Sequence, residues 1–210
     1  MTAPPTTLDC KADPVGAGSV VLQPLVIRRC WAMPAADTFD IPAIRDWVKW
    51  RLARSLTSID PFARNKRWAT HTNDLNPNTS AEHHLDARAF LKMLIGKGVK
   101  ADLIIFDPPY SPRQIQECYA AAGLTPTVQD TQSGRMKREC RELIAQLATP
   151  DAIALSFGWN TTGMGGDGWN KEEILICCHG GDHNDTLCVA EKRAYQEAQL
   201  LATDNEKAHL

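Results

Sequence analysis

Asp107, Pro108, Pro109 and Tyr110 follow directly on the apolar run Leu103 to Phe106 and combine a carboxylate, two rigid links and a ring. Consecutive prolines hold φ at about −65°, and the second biases the first away from helix. Asp107 and Tyr110 are therefore carried on a stiff, extended support. A carboxylate and a ring held at such a separation can grip a flat, hydrogen-bonding molecule.

The elements that position this group can be read from the flanking pattern. Apolar residues at the density of 102–106, bounded by residues that cannot continue a ladder, predict a buried parallel strand opening into a loop. Open α/β sheets hold ligands at that end of their strands. Similar units precede it: residues 56–59 predict a strand ending in Asp60-Pro61-Phe62, residues 68–72 one ending near Asn73-Asp74, and residues 84–85 a third closing at Asp86. Each apolar piece ends in an acid, so several strand tips are expected to converge on one cleft. Helices are expected over 42–52, with Asp40 as cap, over 88–94, stopped by Gly96 and Gly98, over 112–122, ended by Gly123, and over 137–147. Residues 152–157 read as a further buried strand, and 174–178 with 186–189 as an antiparallel hairpin. Residues 20–27, broken by Pro24, read as a short strand, 28–39 and 158–170 as loops, and 124–134 as a polar connection able to act as a flap. The expected fold is α/β, a mostly parallel sheet with a C-terminal antiparallel hairpin. One domain is expected over 20–195, between a loose arm at 1–19 and a tail at 196–210.

The chain has 210 residues, enough for one substantial domain with its own core. With 43% hydrophobic and 23% charged residues it has the composition of a soluble globular protein, and no stretch approaches the ~18 apolar residues of a spanning helix. Met1 to Cys10 lacks the apolar core of a secretory signal, and seven cysteines, an odd number, suit reduced thiols better than a disulfide framework. A cytoplasmic protein with no membrane partner is the expectation. The net charge of −2 gives no general pull toward nucleic acid, so any such binding rests on local basic patches. Two are present: Arg45, Lys49, Arg51, Arg54, Arg64, Lys66 and Arg67, and further on Arg135, Lys137, Arg138 and Arg141. His179, Asp182, His183 and Asp185 have the residue types of a zinc or manganese site, but a polar hairpin turn accounts for the same letters, and no metal is expected.

The segment Asp107-Pro108-Pro109-Tyr110, placed after Leu103 to Phe106, resembles the catalytic motif of the amino-directed DNA methyltransferases, which methylate the exocyclic nitrogen of adenine or, less often with this tetrapeptide, of cytosine. The resemblance spans residues 60–191, with one specific motif, in a form similar to small phage enzymes. It implies a class I methyltransferase sheet and S-adenosylmethionine as cofactor. It implies that Asp107 and the Pro108 carbonyl accept hydrogen bonds from the target amino group, with Pro109 as the rigid link, while Tyr110 stacks on a base flipped out of DNA. Asp86, with Ala87 beside it, looks like the acid that contacts the cofactor adenine, and Asp74 like the one that holds its ribose hydroxyls. Asp60, Pro61, Phe62 and Asn65 occupy the methionine-binding segment but include no glycine, and few residues separate it from Trp68 for the usual intervening helix. The cofactor carboxylate is therefore assigned to Asn65 or to the Asp37-Thr38-Phe39 loop. Ser111, Arg113, Phe157, Trp159 and Asn160 match target-enclosing loops by position, with Trp169 a second candidate to stack on a base.

The implied reaction is in-line methyl transfer to adenine N6. A separate target-recognition domain finds no room, so Arg135, Lys137, Arg138 and Arg141, with the basic residues of the amino-terminal helix, are assigned to phosphates, and a homodimer is an added source of contacts. Alternatives within the same fold are RNA adenine, cytosine N4 and protein glutamine. A non-catalytic DNA-binding relative is the alternative of another class.

Overall fold

A computed structural model describes residues 24–127, 130, 132–166 and 168–194. The expected arm at 1–19, the tail at 196–210 and the start of the strand predicted over 20–27 lie outside the described residues.

Two prolines bracket the chain's commitment to helix. Pro42 at the first turn opens α1 (Pro42–Leu52), and Pro112 opens α3 (Pro112–Ala121). The remaining helices are α2 (Ala87–Gly96) and α4 (Ser133–Leu147). The strands are β1 (Val26–Trp31), β2 (Ser58–Asp60), β3 (His71–Thr72), β4 (Ala101–Phe106), β5 (Ala148–Gly158), β6 (Trp169–Cys178) and β7 (Thr186–Arg193). Among the described residues they form one seven-stranded sheet in the order β1-β6-β7-β5-β4-β2-β3. Every pairing is parallel except those of β7 with β5 and β6. This is the expected α/β arrangement of parallel units finished by an antiparallel hairpin, with β1 added beyond it.

β4 sits inside this sheet, and alternate side chains enter two separate cores. Ile104 and Phe106 pack with Phe90, Leu91 and Leu94 of α2 and with Cys140 and Ile144 of α4. Leu103 and Ile105 pack with Ile44, Trp47 and Val48 of α1 and with Leu155 and Cys188. Burial on both faces is why the strand reads as an unbroken apolar run.

Several expectations need correction. Residues 28–31, read as loop, belong to β1, an edge strand whose side chains are mostly exposed and so carry no burial pattern. Asp40 does not cap α1; Ile41 stands at that position without a side-chain bond, and Asp40 pairs with Lys66 at 2.5 Å. The strand predicted over 84–85 is reduced to an isolated parallel bridge between Asn73 and His83. Trp169, placed in a loop, is the first residue of β6 and packs on the α2–α4 core, so it does not stand free to stack on a base.

Ten residues join the parallel strands β2 and β3, and no helix lies between them. Parallel neighbours ordinarily need a longer crossover, usually a helix. Here the fully buried Asn73 takes over that role. Its side-chain amide donates to the carbonyls of Pro61 (3.1 Å) and Leu85 (2.9 Å), and its oxygen accepts the Leu85 N–H at 2.9 Å. Its backbone donates to the Asp60 carbonyl and accepts from Ala63. The loops after β2 and β3 and the approach to α2 are thus tied to one side chain. Asn73→Ala removes three hydrogen bonds, the one to Pro61 buried and the two to Leu85 partly buried; a loss of about 3 kcal/mol in unfolding free energy is expected in urea titration.

Candidate active site

The site forms where β2, β3 and β4 end. Asp107 leaves β4 at its tip, and the prolines behind it point to different sides: Pro108 and Tyr110 line one pocket, Pro109 another. The Tyr110 backbone N–H donates to the Gln114 side chain at 2.6 Å, and Ser111 and Gln114 form a reciprocal capping box at the start of α3. Ser111 therefore sets the helix, and Arg113, exposed on α3, pairs with Glu117 at 2.9 Å.

The Tyr110 hydroxyl donates to the Asp107 carboxylate, and the Thr38 hydroxyl lies 3.5 Å from that same phenol oxygen. Burial raises the Asp107 pKa to about 6, against the lowering effect of these hydroxyls. Burial, with Asp107 beside it, pushes the phenol of Tyr110 up, so it remains a proton donor. The Asp37-Thr38-Phe39 turn thus reaches the tetrapeptide through Thr38. Asp37 accepts the Phe39 N–H at 3.0 Å, and Phe39 is a core residue between the rings of Trp68 and Phe157, at centroid distances of 5.7 and 5.1 Å.

The pocket on the Pro109 side gathers five of the residues expected to hold a cofactor: Pro61, Phe62, Asp74, Asp86 and Ala87. Leu75, Ile115, Tyr119 and Met136 complete apolar walls that sequence reasoning did not single out. Asp74 accepts the backbone N–H groups of Asn76 (2.9 Å) and Arg64 (3.1 Å), one on each oxygen. Each oxygen keeps a further lone pair, so the carboxylate can still take two hydroxyl donors. Burial raises its pKa and those backbone bonds oppose the rise. Asp86 lines the same pocket, yet its carboxylate caps α2 through Arg88 N and accepts the Arg88 guanidinium at 2.9 and 3.0 Å. Arg88 continues to Asp130 (3.1 Å) and Glu139 (3.2 Å), which ties α2 to α4.

Asn65 and Asp60 stand apart from this pocket's lining. Asn65 is exposed and accepts the Ser80 N–H at 3.0 Å. Asp60 is buried at the tip of β2 and accepts the Phe62 N–H at 3.0 Å. The glycine-free segment still makes a left-handed turn, because Arg64 takes it at φ +50°. Its backbone N–H on Asp74 and a guanidinium bond of 2.8 Å to the Ala36 carbonyl hold that conformation, which costs a non-glycine residue about 1 kcal/mol.

The pocket on the Pro108 side holds about 230 Å³ and brings together Tyr110, Lys137, Arg141, Trp159 and Asn160 with Ser156, a residue outside the expected set. Tyr110 and Trp159 meet edge to face at 5.5 Å, and the Lys137 ammonium lies 5.9 Å from the Tyr110 ring centre. Arg135 and Arg138 turn away and pair with Glu139 (2.8 Å) and Glu142 (3.8 Å). In the first basic patch Arg51 is internal, bonded to Glu173 at 2.5 Å, and Lys49 lies over Trp68. The ring of His179 is held by the Ala32 carbonyl (2.8 Å) and the Thr186 hydroxyl (2.9 Å). Among the described residues no group of three or more His, Cys, Asp or Glu is set to hold a metal. No described helix is long and apolar enough to cross a membrane.

No protein-family model matches the chain, and a search of curated proteins found no match. Among solved structures the chain is similar to SMU.776, a proposed methyltransferase complexed with SAH (TM-score 0.48, 12% identity, covering 70% of this chain and 49% of that one). It is also similar to yhhF from Escherichia coli, a proposed methyltransferase (0.46, 12%, 79% and 92%), and to NSun6 from Pyrococcus horikoshii with SFG (0.47, 13%, 71% and 51%). The chain spans about half the length of SMU.776 and of NSun6.

Burial raises the pKa of Asp60 well above the ordinary value, with Asp107, Asp74 and Asp37 adding to it. A carboxylate with a raised folded pKa makes the folded state bind protons more tightly than the unfolded chain, so its contribution to stability falls as pH rises above about 4. Asp60, Asp74 and Asp107 all act in this sense. Asp130, lowered to about 2 chiefly by Thr127, acts oppositely and below that range. Asp60→Asn keeps the acceptor for Phe62 and removes the charge. It is expected to raise stability at pH 7.5 by on the order of 1 kcal/mol and to flatten the fall that sets in above about pH 4, as read by denaturant unfolding at each pH.

Proposed function

We propose that this protein is an S-adenosylmethionine-dependent methyltransferase that modifies the N6 amino group of adenine in DNA. The observation that carries the reading is the division made by Asp107-Pro108-Pro109-Tyr110. Its two prolines face two pockets, one walled by apolar side chains and Asp74, the other by aromatic rings and cations. The first suits an adenosine moiety: Phe62, Leu75 and Ile115 offer apolar surface, and Asp74 has free lone pairs for a diol. Ala87, at the first turn of α2, has a backbone N–H without an acceptor inside its helix. When bound, S-adenosylmethionine supplies a methyl group on a positively charged sulfur, an electrophile open to in-line attack.

The amino nitrogen of adenine is a poor nucleophile because its lone pair is conjugated with the ring. Asp107 and the Pro108 carbonyl accept its two N–H bonds and favour the pyramidal nitrogen whose charge grows along the reaction, while the stiff proline pair supplies alignment. Tyr110 now occupies the Asp107 oxygen with its own hydroxyl, so an entering amino group takes over that bond and the phenol ring is released to stack. The proton lost after methylation has Asp107 as its nearest acceptor.

Asp107→Ala is expected to reduce labelled-methyl transfer to adenine-containing duplex DNA by at least about 100-fold, with S-adenosylmethionine affinity by calorimetry changed little. Equal loss of both would overturn the division of roles, and label recovered only in N4-methylcytosine or in RNA would overturn the substrate. The carboxylate is the working form, so turnover falls as pH drops through about 6. Tyr110→Phe removes a hydrogen bond that holds this pKa down, so the acid limb of the pH–rate profile moves to higher pH.

A further inference from the structure

α4 divides its basic residues between two faces. Arg135 and Arg138 are satisfied by glutamates one turn on, at the surface. Lys137 and Arg141, also one turn apart, share a face that lines the Tyr110 pocket. Neither has a carboxylate within ion-pair distance among the described residues. The Arg141 Nε is buried with no partner, and so is the hydroxyl of Ser156, a residue 6% exposed on β5 that lines the same pocket. The acids nearby are committed. Glu191 accepts the Met164 N–H at 2.5 Å and faces Lys171 at 3.6 Å, and Asp107 is held by Tyr110. Gly163, whose added Cβ would fall 2.1 Å from a Glu191 oxygen, lets that loop close over the glutamate, which acts on Arg141 only through space, as Asp107 does on Lys137.

Two partly buried cations and an unbonded hydroxyl beside an aromatic wall are costly to leave empty of an acceptor. A neutral purine offers the rings a face but carries no charge to balance Lys137 and Arg141. A phosphate oxygen pair does, and a guanidinium, an ammonium and a hydroxyl are its usual donors. We infer that Lys137, Arg141 and Ser156 bind a phosphate of the target nucleotide, so that the Tyr110 pocket accepts a nucleotide and not a bare nucleoside. The inference rests on the methyltransferase reading for the identity of the base and on the pocket alone for the phosphate. Its source is either the phosphodiester of a strand or the monoester of a free nucleotide.

The test is equilibrium binding to three probes: a short single-stranded oligodeoxynucleotide containing one adenine, deoxyadenosine monophosphate, and deoxyadenosine. It is run across salt concentrations with the full chain and with Arg141→Gln, Lys137→Gln and Ser156→Ala. The wild type is expected to bind a phosphorylated probe at least tenfold more tightly than deoxyadenosine. Arg141→Gln should weaken that binding about tenfold or more and lower the salt-dependence slope for the oligonucleotide by about 0.7, with S-adenosylmethionine affinity unchanged. Lys137→Gln, at a partly buried position in the pocket wall, should lower the slope similarly. Ser156→Ala should weaken binding severalfold without altering the slope. Tighter binding of the monophosphate than of the oligonucleotide would identify a free nucleotide as the source. Unchanged slopes in both cation variants, equal affinity for deoxyadenosine, or no binding of either phosphorylated probe would overturn the inference. A wild type that binds these probes but not S-adenosylmethionine would sink the methyltransferase reading and leave this one standing.

Discussion

β4 is buried on both faces, and the rest of the molecule is arranged around that constraint. With α1 on one side and α2 and α4 on the other, its backbone and side chains are closed to water until the strand ends at Asp107. Polar chemistry can enter the structure only where the strands stop. The two prolines then carry the chain away without a turn that would fold back over the opening, and Gln114 fixes the Tyr110 backbone as α3 begins. One rigid ribbon thus separates an apolar, acid-bearing pocket from an aromatic, cation-bearing one.

The two sides are electrostatically opposed. Asp37, Asp60, Asp74 and Asp107 crowd the strand tips, and burial together with mutual repulsion holds the carboxyls of Asp60 and Asp107 above their usual range. Across the ribbon, burial pulls Lys137 and Arg141 the other way. Burial disfavours the charged form on both sides. Such groups fit binding and catalysis better than they fit folding, and sites that carry them commonly trade stability for activity.

The loops that deliver these acids are held economically. Asn73 and Arg64 between them replace what a crossover helix and a glycine would supply, the first by tying two loops with one amide, the second by taking a left-handed turn secured at both ends. Both residues look unremarkable in the chain, because an asparagine or arginine beside a strand end is ordinarily a solvated loop residue. Only contacts to residues far along the chain reveal their work. The same limit hid Ser156 and the unpaired state of Arg141: α4 alternates basic residues with glutamates, and its pattern does not say which cations are answered at the surface.

What the amino-acid sequence determined by itself was local and strongly patterned. The doubly buried run of β4, the prolines after it, Pro112 at the head of α3 and the apolar spacing of α1, α2 and α4 are each set by neighbours within a few residues, so the α/β class and the Asp107 tetrapeptide were legible. Tertiary structure decided the rest. It made an edge strand of residues 26–31, whose exposed side chains carry no periodicity, and it turned Phe39 and Trp169 from candidate contacts into core. It left Asp74 with lone pairs to offer while committing Asp86 to Arg88, and it sorted the basic residues of α4 into paired and unpaired. Burial and the identity of a distant partner determine whether a polar side chain is spent on the fold or available to a ligand, and neither is a property of adjacent residues.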